Sequence, residues 1–250
     1  MLNMYRFVAA VALVALSSVV AGAQTVDELV EKHLAATGGR AALGKLTSRV
    51  STGAITVTTP VGNLPGTIEM YAARPNRIRT LIKLDLSAVG GGQIVNDQRF
   101  DGTTGYVIDT FSGNREITGA QLDAMRNGTF PTPLLTYKET GLQLTLSGRE
   151  KVGDTEAYVL VMTPKAGPPA RLFLDPDTMM MVKTVMTVNV PQLGGDVEQV
   201  IEFSDFRDVD GIKVPFVTKV VNPAQTVTAT MATVTHNAAI DDSTFARPAP

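Results

Sequence analysis

Two histidines and a knot of acids are the places in this chain where chemistry could begin. His33 sits in Glu31-Lys32-His33-Leu34-Ala35 and His236 closes the last apolar-alternating run. A protease-type zinc site needs two histidines one helical turn apart with a glutamate between them, and neither histidine has such a partner. Both are expected to be surface polar residues. Glu202, Asp205, Asp208 and Asp210 lie close together. Paired carboxylates can exchange protons with a substrate or help to hold calcium. This group, however, falls at a strand end and turn, where aspartate is favoured because its side chain accepts from nearby backbone N–H groups. A hydrolytic site around Asp205 and Asp208 is therefore the third-ranked reading. No serine stands in a G-x-S-x-G elbow and no G-x-x-x-x-G-K-[ST] loop occurs. Gly90-Gly91-Gly92 is followed by no helix start, so it reads as a turn or loop and not as a phosphate cradle. Cysteine is absent, which removes disulfides, thiolate metal sites and a cysteine nucleophile together. No catalytic residue, metal or cofactor is assigned, and the chain is not expected to be an enzyme.

Soft apolar side chains are what the sequence supplies in their place. Met162, Met179, Met180, Met181 and Met186 fall in two neighbouring predicted strands. Methionine is flexible and polarizable, so it can line a greasy cavity that accepts varied partners, or equally fill an ordinary core. A run of three methionines places residues on both faces of a strand, and only one face can line a cavity.

The elements that carry these residues follow from local pattern. Arg6, the uncharged run Phe7 to Leu16, and Ala21-Gly22-Ala23 before Gln24 have the form of an export signal cleaved after Ala23. The stretch is short of the roughly 20 apolar residues that span a bilayer. Gln24, where a lipoprotein would carry cysteine, predicts a soluble periplasmic protein without a lipid anchor. Removing one Arg and no acid with residues 1–23 leaves 250 − 23 = 227 residues with 21 basic and 24 acidic groups, a net of −3. A phosphate-binding surface needs a clustered basic face, and the densest basic stretch, Arg74 to Arg79, alternates with apolar residues like the solvent face of a strand. Nucleic acid is excluded as an expected partner.

Thr25 to Thr37 reads as an amphipathic helix capped by Thr25 and stopped by Gly38-Gly39, with Val26, Leu29, Val30 and Leu34 as its apolar stripe. Arg40 to Leu46 is a second short helical piece. From Arg49 the period changes to two, and Asp101-Gly102, Ser112-Gly113-Asn114, Gly153-Asp154, Asp175-Pro176-Asp177, Gly194-Gly195 and Asp210-Gly211 punctuate it as hairpin turns. One helix, Thr118 to Asn127, is inserted, with Thr118 as its cap. Ala157 to Met162 and Met179 to Val188 are apolar on both faces, so something must cover the second face. The short helices are the available cover. Residues 24–250 are expected to form one mainly β (α+β) domain, a curved antiparallel open half-barrel sheet over a few short helices.

An ordered set of segments resembles a known family. Ala73-Arg74-Pro75-Asn76-Arg77-Ile78-Arg79, the strand ending Gln98-Arg99-Phe100, and Asp101-Gly102-Thr103-Thr104-Gly105-Tyr106 are followed by Thr129-Phe130-Pro131-Thr132-Pro133-Leu134-Leu135 and the tail Ile240-Asp241-Asp242-Ser243-Thr244-Phe245. In this order they are similar to the LolA/LolB superfamily of lipoprotein carriers. The resemblance implies an apolar cavity that receives acyl chains and a helical lid held shut by the arginine of the Arg-Pro segment, here Arg74. A guanidinium suits that task because it can satisfy several backbone carbonyls at once; a solvated Arg74 ahead of a proline is the plainer alternative. Tyr106 stands where the carriers often have tryptophan, and the second half is longer, features closer to the divergent outer-membrane lipoprotein-sorting-protein-like branch.

Together these observations predict a carrier of lipid or lipoprotein acyl chains, expected to be a monomer. Its predicted cavity lining is Ile78, Ile82 and Leu84 from an early strand, Met162, Met180 and Met186 from late ones, and Leu122 and Met125 from the inserted helix. The alternative is an envelope sensor or scaffold that uses the same fold to regulate a membrane-protein partner, for which a large exposed apolar patch would speak.

Overall fold

The computed structural model describes residues 24–60, 62–87, 90–190 and 194–248. The export signal assigned to residues 1–23 lies outside them. Helix α1 (Val26–Thr37) starts at a capping box: Thr25 Oγ1 accepts from Glu28 N at 3.2 Å and Glu28 Oε2 accepts from Thr25 N at 3.0 Å. It ends at Gly38, whose φ of +138° suits glycine, and a Cβ there would come within 2.6 Å of the Gly211 carbonyl. Helix α2 (Arg40–Lys45) follows.

Six strands come next: β1 (Ser48–Thr59), β2 (Gly62–Ala73), β3 (Arg77–Asp85), β4 (Gln93–Phe100), β5 (Gly105–Asp109) and β6 (Arg115–Ile117). Helix α3 (Gly119–Arg126), a 3₁₀ turn at Pro133–Leu135 and helix α4 (Tyr137–Thr140) lead to β7 (Gln143–Val152). The remaining strands are β8 (Thr155–Thr163), β9 (Ala170–Leu174), β10 (Met181–Val190), β11 (Gly195–Val209), β12 (Ile212–Asn222) and β13 (Gln225–His236). Thr118 makes no side-chain cap on α3, contrary to the expectation; its own backbone is extended and Gly119 follows at φ +58°.

The strands form one 13-stranded sheet in the order β6-β5-β4-β3-β2-β1-β13-β12-β11-β10-β9-β8-β7, every pair antiparallel. Two meanders therefore meet along β1 and β13. The sheet is open, with β6 and β7 at its edges, yet these edges are consecutive in sequence. Side chains from both meanders pack on the same short helices. The sheet is curved, the expected half-barrel, and the helices cross its hollow side.

Directly paired residues share a face, so Ile55, Gly66 and Leu84 look the same way, as do Gly53, Ile68 and Ile82. This is the concave face. Ile55 and Ile68, with Leu160, Leu172, Leu174, Ile212 and Phe216 from the other meander, pack against Leu29, Val30 and Leu34 of α1, Leu43 and Leu46 beside α2, and Leu134 and Leu135.

The strands that are apolar on both faces carry a second, smaller cluster on the convex side, where Ala157, Val159, Phe173 and Val185 are buried. The helices do not cover it, which corrects the expectation drawn from Ala157 to Met162. Arg171 and Lys183 lie over the Phe173 ring at 5.1 and 4.8 Å, and Arg171 bonds to Glu150. Long cationic side chains cover apolar surface with their stems while their charges stay wet. The Arg77 and Arg79 face is also not free: the tail after β13 folds over the convex side of β3 to β6. Phe245 is 1% exposed there, under Arg77 at 5.0 Å. Arg77 pairs with Asp242, Arg99 donates to the Ala246 carbonyl at 3.2 Å, and Arg247 to Glu116 at 2.8 Å. At the centre Asp97 accepts from Arg79 at 2.8 and 2.8 Å and from Arg99 at 2.8 and 3.1 Å.

Candidate ligand cavity

A cavity of about 390 Å³ lies between the two meanders on the concave side. Its wall includes Ile55, Ile68, Ile82, Phe203, Val227, Ala229 and Met231, and Ser51 and Thr218 are its polar members. The residues are there because β1, β2, β3, β11, β12 and β13 each turn alternate side chains inward. Met70, another wall residue, is 39% exposed, so the cavity reaches the surface beside it. Phe203 also lines two neighbouring hollows. One, of about 180 Å³, holds His33, Met180, Met181 and Phe206; the other, of about 480 Å³, adds Thr178, Val182 and Asp205.

Of the predicted lining residues, Ile82 is in the wall of the 390 Å³ cavity and Met180, buried, is in the hollows across Phe203. Leu84 and Met162 are half-buried against the main core. Ile78 shares the concave face but stands opposite Ala72 and Phe100, beyond the cavity. Met186 lies opposite Ala170 and Gln199, half-buried. Leu122 and Met125 are half-buried on α3, which buries no residue fully. The structure does not gather these side chains into one site. Phe203, Val227, Ala229 and Met231 were missed, although Val227, Ala229 and Met231 alternate with polar Thr228 and Thr230 and so bore the same period-two signal.

Helix α3 bridges the two arms of the sheet. Asn76 in the β2–β3 turn donates to the Met125 and Arg126 carbonyls at 2.8 and 3.2 Å, and Gln98 Nε2 to the Met125 sulfur at 3.5 Å. From the other arm the Ala166 carbonyl accepts from Asn127 at 2.7 Å. Arg74 holds the end of α2: its guanidinium donates to the carbonyls of Leu46, Leu43 (3.1 Å) and Gly44 (3.2 Å). These are carbonyls that a helix end leaves without intrahelical partners.

Neither histidine is on the surface. His33 shares the buried stripe of α1 with Leu29, Val30 and Leu34, the 3.6 period having already placed it there. Its Nδ1 lies 2.8 Å from the Met179 carbonyl, and burial holds its pKa below the ordinary value against the opposing pull of that carbonyl. His236 is 8% exposed because it pairs with Arg49 on the concave side of β1 and β13. Its Nε2 accepts from Arg49 Nε at 3.1 Å, and Asp210 Oδ2 lies 3.6 Å from its Nδ1. Burial first, and the Arg49 charge second, lower its pKa.

The acids are engaged in pairs and turns. Asp205 accepts from Arg207 at 2.6 and 3.1 Å, Glu202 from Lys219 at 3.1 Å, and Asp208 from Gly211 N at 2.9 Å. Asp205 and Asp210 have φ of +51° and +54°, left-handed positions that aspartate tolerates. Among the described residues no group of three or more acids or histidines is arranged to hold a metal ion.

No protein-family model matches the chain, and no curated protein matches it in sequence. Solved structures do match. A DUF1329 family protein from Desulfovibrio piger aligns with 14% identity and a TM-score of 0.57 over 90% of this chain and 98% of its own. A LolA superfamily protein from Nitrosomonas europaea gives 13%, 0.55, 90% and 99%. A domain described as an outer membrane lipoprotein-sorting protein, from Vibrio parahaemolyticus, gives 10%, 0.54, 88% and 95%. At such identities the agreement is one of architecture, carried by the curved open sheet and its crossing helices: the chain has the LolA-like fold.

Proposed function

We propose that the chain is an exported carrier that takes a lipid or lipoprotein acyl chain into the concave cavity. The observation that carries this reading is the 390 Å³ hollow walled by Ile55, Ile68, Ile82, Val227 and Met231. Ligand pockets have volumes of about 300–1,000 Å³ and mostly apolar walls. Binding draws on apolar burial at roughly 25 cal/mol per Å², and no covalent step is involved. Entry passes Met70, and the α1–α2 pair latched by Arg74 is the element that moves. After cleavage behind Ala23 the carrier works as a periplasmic monomer, receiving and delivering its chain at envelope partners.

Native mass spectrometry of protein purified from periplasm, followed by lipid extraction, tests this together with titration of a fluorescent fatty acid. A co-purifying acyl compound or saturable probe binding supports the reading. Neither one, in correctly folded protein, would sink it. The sensor reading has less behind it: the large apolar residues that are exposed among the described ones, Met70 and Phe111, lie in the cavity wall and in the β5–β6 turn, and do not form one broad patch.

A further inference from the structure

The concave face carries one cation whose placement ordinary packing does not explain. Arg49 lies on the same face of β1 as Ser51, the cavity wall residue two positions on, about 6.6 Å away at roughly 3.3 Å per residue. Its immediate neighbours are apolar or neutral: the Phe130 ring at 5.6 Å from its guanidinium carbon, Ala72 and Ile78 beside it, and His236, whose Nε2 accepts from Arg49 Nε at 3.1 Å while Asp210 lies beyond the ring, 3.6 Å from Nδ1. Among the described residues no carboxylate forms an ion pair with it, although other arginines of this chain, including Arg40, Arg77, Arg79, Arg99, Arg171, Arg207 and Arg247, each have one. Desolvation pulls the pKa of Arg49 down to about 10, the mark of a cation held away from water without a counter-charge.

An unpaired, largely desolvated charge is retained at a cost unless something pairs it. Because Nε is already engaged by His236, the two terminal nitrogens stay available, and these form the planar fork that matches a carboxylate or phosphate in two parallel bonds. We propose that Arg49 is the headgroup site of the cavity, so that the ligand is an amphiphile with a single anionic head, its carboxylate or phosphate on Arg49 and its chain running past Ser51 between Ile68 and Met231. His236 and Phe130 are positioning residues that hold the guanidinium. This inference rests on the carrier reading and deepens it by naming the class of ligand.

The test compares a long-chain fatty acid, the alcohol and the amine of the same chain length, and the corresponding alkyl phosphate, by competition against a neutral fluorescent acyl probe. The acid or the phosphate is expected to bind at least about tenfold more tightly than the alcohol, the amine more weakly still, because a hydrogen bond to a charged group adds roughly that factor. Which of acid and phosphate binds better distinguishes the two sources of the anion. Arg49→Met is expected to abolish the preference, weakening the acid and the phosphate far more than the alcohol, and Arg49→Lys to retain part of it. As a check independent of any variant, a fatty acid with a photoreactive group beside its carboxylate should label wild-type protein near Arg49, Ser51 or Phe130. Equal binding of acid and alcohol, a preference that survives Arg49→Met, or labelling confined to other segments overturns the headgroup assignment and leaves the carrier reading standing. If no member of the series, and not the neutral probe either, binds saturably, the carrier reading itself falls and this one with it.

Discussion

Replacing Ala229 by leucine asks whether the hollow is usable space or merely loosely drawn core. Ala229 is 7% exposed, lines the 390 Å³ cavity, and faces Ile55 across β1 and β13. Leucine adds three carbons. If they enter apolar space, burial at about 0.8 kcal/mol per methylene gives a gross gain near 2.4 kcal/mol, reduced by about 0.5–1 kcal/mol for the lost freedom of the longer side chain. A net stabilisation of about 1–2 kcal/mol is expected. In a close-packed core the same insertion would force side chains off their rotamers and destabilise by about 1–3 kcal/mol. The two cases differ in sign, so the experiment does not depend on either magnitude being accurate. Urea denaturation followed by circular dichroism reads the stability, and a fluorescent acyl probe reads capacity, which should fall as the added side chain takes up room. A variant less stable than wild type by 1 kcal/mol or more, with probe binding unchanged, would refute the cavity as the binding site.

Other outcomes follow from contacts elsewhere. Arg74→Met removes three bonds to the carbonyls that end α2; a loss of about 2–4 kcal/mol is expected, with hydrogen-exchange protection falling in α1 and α2 while β7 to β9 keep theirs, and uniform loss across the sheet would argue against a latch. Phe245→Ala, at a site 1% exposed on the convex face, should cost about 3–5 kcal/mol and leave acyl-probe affinity unchanged, because the tail and the cavity are on opposite faces. His33 has its pKa lowered from 6.5 by burial, so the unfolded chain takes up a proton first as pH falls. Stability should therefore decline from about pH 6.5 downward to the folded-state pKa, and His33→Gln should make that decline shallower, leaving the part due to His236, whose pKa is lowered as well; a wild-type profile level between pH 7 and 5 would show that His33 is not the buried neutral group described.

The local grammar of the fold was written plainly in the chain. Thr25, Glu28 and Gly38 bound α1 because capping and left-handed φ are decided within a few residues. Asp101-Gly102, Gly153-Asp154 and Asp210-Gly211 mark real hairpins for the same reason. The cavity was less legible. Its wall is assembled from β1, β2, β3, β11, β12 and β13, so membership depends on which strands curl toward each other, a property of the whole sheet. Ile78 and Ile82 have the same pattern in sequence, and only their places along β3 separate them: Ile82 lies opposite Ile68 of the cavity wall, Ile78 opposite Ala72. The burial of the histidines is written in the apolar stripe of α1 and in strand pairing, not in metal-ligand spacing. Arg49 carried no local signal at all; its isolation from carboxylates is visible only once β1 and β13 are side by side.

The order of the strands also dictates an order of events. Each meander is built from neighbours in sequence, so its hairpins can form while the chain is still emerging, and local pairing is fast. The junction is different: Arg49 and His236 are 187 residues apart, and β1 has no partner on that side until β13, the last strand, exists. Until then the middle of the future sheet is a bare edge twelve residues long, with apolar residues along one side, the kind of surface on which strands of separate molecules join. A chain cut anywhere before residue 225 would never close it, so each newly made copy is exposed to self-association until its final strand arrives.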